Sequence, residues 1–289
     1  MKFGLRYCNT GPYVDPATAI ELVQAGEAAG FDSAWTVEHT VVPAGYASIY
    51  PYSDNGKMAG GVDDFALPDP LIWLAYVASA TTTIKLATGI IILPQHNPVV
   101  VAKQVASLDF MTDGRVLFGI GVGWLKEEFE AVGVPFERRG ERTDEYIEAI
   151  RALWTEDKPN YAGEFVNFKN AYCRPQPRQT SIPIIVGGQT KAAARRAGRQ
   201  GDGYFPGRDL PVDMVEEARA AAAAHGRDPA ALEITVSIPS DLELLADYAN
   251  FGVSRVLVPV TTVTGLDSGI QGPDDVLKWK DTIERYSDL

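Results

Sequence analysis

The chain has 289 residues with 26 Lys and Arg against 38 Asp and Glu, a net charge of −12, and is 46% hydrophobic and 22% charged. That balance excludes a nucleic-acid surface, which needs a basic face to meet phosphates, and the composition excludes wholesale disorder. No apolar run reaches the roughly 18 residues of a membrane span, the N-terminus enters a strand with no signal peptide, and Cys8 and Cys173 are too few for a disulfide framework, so a reduced, cytoplasmic protein is expected.

Lys2 to Tyr7 (KFGLRY) reads as the first strand, and Asp15-Pro16 supplies an N-cap and first helical residue for a helix that Gly30 ends. Phe31 to Val37 is the second strand, with Glu38-His39 at its C-terminal end. Residues 40–68 then run through glycines, prolines and Tyr46, Tyr50 and Tyr52 without periodicity, which predicts a lid or binding segment. Asp69-Pro70 opens the next helix. Ile84 to Trp124 follows as strand, break at Pro94, helix from Asn97-Pro98, turn at Asp113-Gly114 and strand again. This is a βαβ unit, and its strands are apolar on successive residues because both faces are covered.

After Trp124 come a short helix (KEEFEAVG), a longer one over Arg139 to Trp154, and a hairpin with a proline-punctuated crossing over 160–178. Strand Ile182 to Val186, turn Gly187-Gly188 and a helix capped by Thr190 restore the regular alternation. Strand Asp202 to Phe205, helix Val212 to Ala224, strand Glu233 to Ile238, helix Asp241 to Phe251, strand Arg255 to Val258 and helix Asp274 to Tyr286 complete the chain. Strands alternating with helices predict an α/β fold, a single (β/α)8 TIM barrel over 1–289 with insertions after strands 2 and 4, at 40–68 and 124–180. An open doubly wound sheet is the rival, but no GxGxxG follows the first strand.

In a barrel the active site lies where the strands finish. The candidates are then Tyr7 to Asn9, Glu38 and His39, Gly89 to Ile92, Gly121 to Trp124, Gly187 to Thr190, Phe205 to Arg208, Ser237 to Pro239, and Val258-Pro259. His39 is the one obvious proton-transfer centre among them. No metal site is expected, since no Cys/His cluster has ligand spacing, and neither a Schiff-base lysine nor a GxSxG elbow is in place. What remains is a glycine-lined, aromatic-walled pocket with a histidine, which suits a planar cofactor that brings its own chemistry. Glycines at these ends would leave bare backbone for a ligand. Consecutive Gly187 and Gly188 would leave amides free before a helix whose positive end faces the ligand. Trp35 and the GVG run also have a simpler reading as core packing.

Four pieces carry a family likeness: AGEAAGFDSAWTVEHT, LATGIIILPQHNPVVVAKQVASLDFMTDGRVLFGIGVGW, GWLKEEFEAVGVPFERRGERTDEYIEAIRALW and PIIVGGQTKAAARRAGRQGDGYFP. Together they cover more than half the chain and resemble the luciferase-like monooxygenase superfamily, particularly its coenzyme F420-dependent oxidoreductases. The resemblance implies that Glu38 and His39 supply acid-base chemistry at the reactive ring. It implies that Gly89-Ile90 forms a non-prolyl cis peptide supporting the deazaflavin, that Gly121, Gly123 and Trp124 lie along the cofactor's side chain, and that Gly187, Gly188, Gln189 and Thr190 hold its phosphodiester. It further implies a small-molecule substrate and a homodimer. FMN, with reduced flavin and oxygen giving a monooxygenase, is the alternative cofactor, and a non-catalytic cofactor-binding barrel is a third reading. Trp124 stands where some relatives that oxidise a sugar phosphate carry an acidic proton donor, and no pair of lysines awaits a phosphate, so that substrate is disfavoured.

Overall fold

Three helices start on the same device, an Asp or Asn whose side chain accepts the first free amides, followed by a proline that has no amide to lose. Asp15 caps α1 (Pro16–Ala29) through Ala17 and Thr18, Asp69 caps α2 (Pro70–Ala78) through Ile72, and Asn97 caps α3 (Pro98–Met111) through Val99 and Val100. In the computed structural model, which describes residues 1–289 other than 54, 59, 60, 208 and 262–267, these helices alternate with parallel strands. The strands in chain order are β1 (Lys2–Arg6), β2 (Ser33–Thr36), β3 (Lys85–Thr88), β4 (Ile91–Ile92), β5 (Val116–Gly121), the hairpin β6 (Tyr161–Ala162) and β7 (Asn167–Phe168), then β8 (Ile184–Gly187), β9 (Gly203–Phe205), β10 (Glu233–Ser237) and β11 (Arg255–Pro259). The remaining helices are α4 (Lys126–Ala131), α5 (Arg139–Thr155), α6 (Lys191–Gln200), α7 (Val212–Ala224), α8 (Leu245–Phe251), α9 (Pro273–Leu277) and α10 (Lys280–Tyr286).

Neighbouring strands run β3-β2-β1-β11-β10-β9-β8-β5-β4, and β3 also pairs with β5, so the circle closes into the expected (β/α)8 barrel. The third barrel strand is split: β3 and β4 both pair with β5, and between them Gly89-Ile90 is a cis peptide. Inside the barrel lie Trp35, Ala87, Leu117, Ile185, Phe205 and Leu257. The larger core fills the space between strands and helices, with Leu22, Leu74, Val105, Phe118 and Ile150 all buried. At the N-terminal end of the barrel, fully buried Arg255 is matched by Asp32, 2.9 Å away, and by Glu233.

Two helical expectations are corrected at the C-terminus. The segment from Asp241 starts as a 3-10 turn over Leu242–Leu244, because Asp241 caps it through Glu243, and becomes α8 only at Leu245. The last helix is broken into α9 and α10: Lys278 and Trp279 donate three residues back, to Asp275 and Val276, which tightens the chain out of α geometry. Trp279 lies against Phe31 at that break. Among the described residues no helix is long and apolar enough to cross a membrane.

Candidate active site

All eleven candidate residues converge on one cavity at the C-terminal end of the barrel: Glu38, His39, Gly89, Ile90, Gly121, Gly123, Trp124, Gly187, Gly188, Gln189 and Thr190 line a space of about 720 Å³. Of the other strand-end candidates, Tyr7, Ile92, Val122, Phe205 and Gly207 also line it, and Arg208 lies outside the described residues. Asn9 has a different task. Its amide donates to Val37 O and Pro68 O and its oxygen accepts from Val37 N, so one buried side chain ties together both ends of the segment between β2 and α2.

Glu38 and His39 are adjacent in sequence but do not act on each other. Glu38, buried, accepts the Ile92 amide at 2.5 Å and pairs with His96 Nε2 at 2.9 Å. Burial alone would lower the His96 pKa, but the hydrogen bond and charge of Glu38, with Asp69 and Glu128 further off, outweigh it and raise the pKa above the ordinary value. His39 instead presents Nδ1 to Glu128 Oε2 at 2.9 Å. Glu128 has no exposed side-chain surface, and its other oxygen accepts the amides of Thr40 at 2.6 Å and Val41 at 3.3 Å. A carboxylate accepts, so it fixes the proton on Nδ1 and leaves Nε2 to serve a ligand.

The neighbouring Glu127 grips the segment that crosses the cavity. It accepts the amides of Ala47 and Ser48 at 2.7 and 3.1 Å and the Ser48 hydroxyl at 2.7 Å; the hydroxyl foremost, with those amides, draws its pKa down to about 2. Trp124 meets three rings edge-on, His39 at 6.0 Å, Tyr46 at 5.4 Å and Tyr50 at 5.1 Å between centroids. Tyr46, Tyr50 and Trp124, with Tyr52 packed against Tyr50 at 5.3 Å, thus form an aromatic cluster beside the imidazole.

The glycines line the cavity and also make room for Ile90. A Cβ at Gly121 would lie 2.8 Å from Ile90 Cδ1, and one at Gly187 2.7 Å from Ile90 Cγ2. Gly123 makes room for Ile92 and Phe129, and Gly119 for the Thr88 carbonyl. The Gly188 amide is not free either, since it donates to Phe205 O at 3.1 Å. Beyond it Thr190 caps α6 through Ala193 at 3.1 Å, so the first turn of α6 opens at the wall formed by Gln189, Thr190 and Ala193.

Sequence reasoning missed Glu128, Arg6 and Arg139. Arg139 lines the cavity with Nε on Gly123 O at 3.1 Å and its guanidinium 3.7 Å from the Phe136 ring centroid. An arginine at the end of the buried run of the first strand, and two consecutive acids two residues beyond GVGW, were the available signals. Trp35 is core, as its simpler reading had it: it is fully buried, with Nε1 on Ser33 Oγ at 2.8 Å. Burial pushes the Cys8 thiol up to about 12, which leaves it protonated and inert. Among the described residues no cluster of His, Cys, Asp and Glu could hold a metal.

Comparison with known proteins places this geometry. The family model for luciferase-like monooxygenases matches residues 4–240. An uncharacterized protein of Mycobacterium tuberculosis is 33% identical over 265 residues, covering 89% of this chain and 91% of the relative. An F420-dependent glucose-6-phosphate dehydrogenase of Gordonia bronchialis is 29% identical over 259 residues, covering 85% and 71% of the two chains. Among solved structures, the coenzyme F420-dependent tetrahydromethanopterin reductase of Methanopyrus kandleri superposes with a TM-score of 0.71 at 18% identity over 96% of each chain. The monooxygenase RslO1 of Streptomyces bottropensis does so with 0.73 at 21% identity over 99% and 100%; both show the shared fold. The chain belongs to the luciferase-like monooxygenase family.

Proposed function

We propose that this protein is a coenzyme F420-dependent oxidoreductase that moves a hydride between the deazaflavin and a small organic substrate. The observation that carries the reading is His39, held through Nδ1 by buried Glu128 at the wall of a cavity large enough for a tricyclic ring. The residues present fit such a cofactor. The cis Gly89-Ile90 bulge, with Ile90 laid across Gly121 and Gly187, offers an apolar support in the barrel mouth. The first turn of α6 behind Gly187, Gly188, Gln189 and Thr190 offers amides to a phosphodiester. Gly121, Gly123 and Trp124 form the wall along which its side chain would run.

Bound there, the deazaflavin supplies the hydride acceptor or donor. In this reading the protein supplies the rest. His39 takes or gives the substrate proton at Nε2, and Glu128 balances the charge that forms on the ring. Glu38 is already engaged by Ile92 and His96, so its part is to hold the β4 end of the bulge in place. The described residues of the 40–68 segment would act as a lid, with Tyr50 and Tyr52 beside Trp124 on the cavity wall excluding water. The cavity wall carries Arg6 and Arg139 but, among the described residues, no lysine, which continues to argue against a sugar phosphate. The reading includes a cytoplasmic homodimer: both cysteines are free, and Ile72, Tyr76, Val99 and Val100 on α2 and α3 leave apolar side chains exposed. Titration of the protein with F420 and with FMN tests the cofactor. Tight FMN binding with none for F420 reverses the assignment toward a monooxygenase, and light scattering reports the oligomer.

A further inference from the structure

Arg6 ends β1 on the interior face of the barrel. It has the same parity as Gly4, where a Cβ would meet Leu257, Ser33 and Trp35 from inside. The residue is only 8% exposed, and it lines the cavity. Its guanidinium carbon lies 4.5 Å from the Tyr7 ring centroid and 4.9 Å from that of Phe205, and Nη1 donates to Ser237 Oγ at 2.8 Å. Nε is buried without a partner. Among the described residues no carboxylate pairs with it. Arg255, at the other end of the same barrel, shows what a structural cation looks like here: it is fully buried and met by both Asp32 and Glu233. Rings and one hydroxyl ease the burial of Arg6, but they do not balance its charge. The nearest candidate in kind, Glu38 on the same cavity wall, already has its oxygens on Ile92 and His96.

We infer that Arg6 is the anchor for a carboxylate on the substrate, so that the substrate class is a small monocarboxylate with an apolar body. The inference deepens the proposed function and rests on it for the words "substrate" and "anchor". A single guanidinium matches the single charge of a carboxylate, and its planar fork offers paired donors to two oxygens. A phosphate dianion would call for further cations, and Arg139, the other arginine of the wall, is tied to the carbonyls of Gly123 and Phe136. The cavity that Arg6 lines also carries apolar side chains on its wall, among them Val37, Ile49, Met58, Phe65 and Leu67. Such a lining receives a hydrocarbon body and leaves Arg6 to orient it through the charged end.

The test is calorimetric titration of the wild-type protein with acetate, hexanoate and benzoate, each against its own amide. At least one acid should bind tenfold or more tightly than its amide, and Arg6→Gln should remove that preference while leaving amide binding and F420 affinity within twofold. No preference for any of the three acids overturns the inference, and this arm needs no variant to fold. A folded Arg6→Gln protein that keeps the preference overturns it as well. So does one that loses cofactor binding instead, because Arg6 would then belong to the cofactor ring. Arg6-dependent acid binding in a protein that takes neither F420 nor FMN would leave the carboxylate site standing and bring down the oxidoreductase reading. Cofactor uptake with no distinction between acid and amide would do the reverse.

Discussion

Glu128 and His39 stand 89 residues apart in sequence and 2.9 Å apart in the structure, with the carboxylate wholly buried and the imidazole keeping 10% of its side chain open. Under the proposed chemistry that asymmetry divides the roles: the carboxylate would orient the ring, and the imidazole would be the group a substrate can reach.

Glu128→Gln keeps an oxygen for the Thr40 and Val41 amides while removing the charge. Under the proposed chemistry, turnover followed by F420 absorbance should fall roughly 10²-fold, and His39→Ala should lose at least as much. Because both act on one proton, the double variant should be no slower than His39→Ala. Fully additive losses would show that the two residues do separate work.

Ile90 occupies the space that Gly121 and Gly187 leave. Gly187→Ala would put a Cβ 2.7 Å from Ile90, and such overpacking costs about 1–3 kcal/mol. Denaturant midpoints should drop accordingly and cofactor affinity should weaken. Adding Ile90→Ala should recover part of both, and a double variant no better than Gly187→Ala alone would rule out Ile90 as the reason for the glycine.

His96 gives the barrel mouth a pH dependence of definite sign. Its folded pKa is raised, despite burial, by the Glu38 hydrogen bond and charge. The stabilisation is therefore complete below the unfolded value of about 6.5 and is lost as pH rises through the folded pKa. Tm measured from pH 6 upward should decline, and His96→Gln should flatten the decline. An identical slope in the variant would remove His96 from the account.

Glu27 gives the opposite case. Burial pushes its pKa up, but the amides of Thr83 and Ile84, the Thr83 hydroxyl and the Thr82 amide together pull it from 4.5 to about 2. Its contribution is present above the unfolded value and is lost as pH falls from about 4.5 toward 2. The site is partly open to water, so the effect is smaller than the shift implies. Acid titration of the Glu27→Gln variant should show a shallower fall across that window; a fall as steep as in the wild type would refute the assignment.

The barrel was legible because its signals are local. Continuous apolar runs mark buried parallel strands, Asp-Pro and Asn-Pro mark helix starts, and a count of eight repeats is visible without contacts. The convergence of the site residues was legible for the same reason, since strand ends share one face of the barrel. The pairings were not legible. Glu38 precedes His39 directly, yet successive residues of an extended chain point to opposite sides, so each found its partner elsewhere, in His96 and Glu128. Arg6 was hidden differently: it sits in a strand whose pattern announces only burial, and whether a buried charge is paired depends on residues such as Ser237, 231 positions away. The broken C-terminal helix was not legible either: the break coincides with a tertiary contact of Trp279 on Phe31, which periodicity cannot express.

Glu127 and Glu128 are consecutive, and they hold different things: one fastens Ala47 and Ser48, the other fastens Thr40, Val41 and His39. The backbone from Thr40 to Ser48 and the His39 imidazole are therefore both held by two neighbouring side chains of α4. In the proposed enzyme, a substrate entering past Ala47 and Ser48 would pull on the residue next to the one that orients His39.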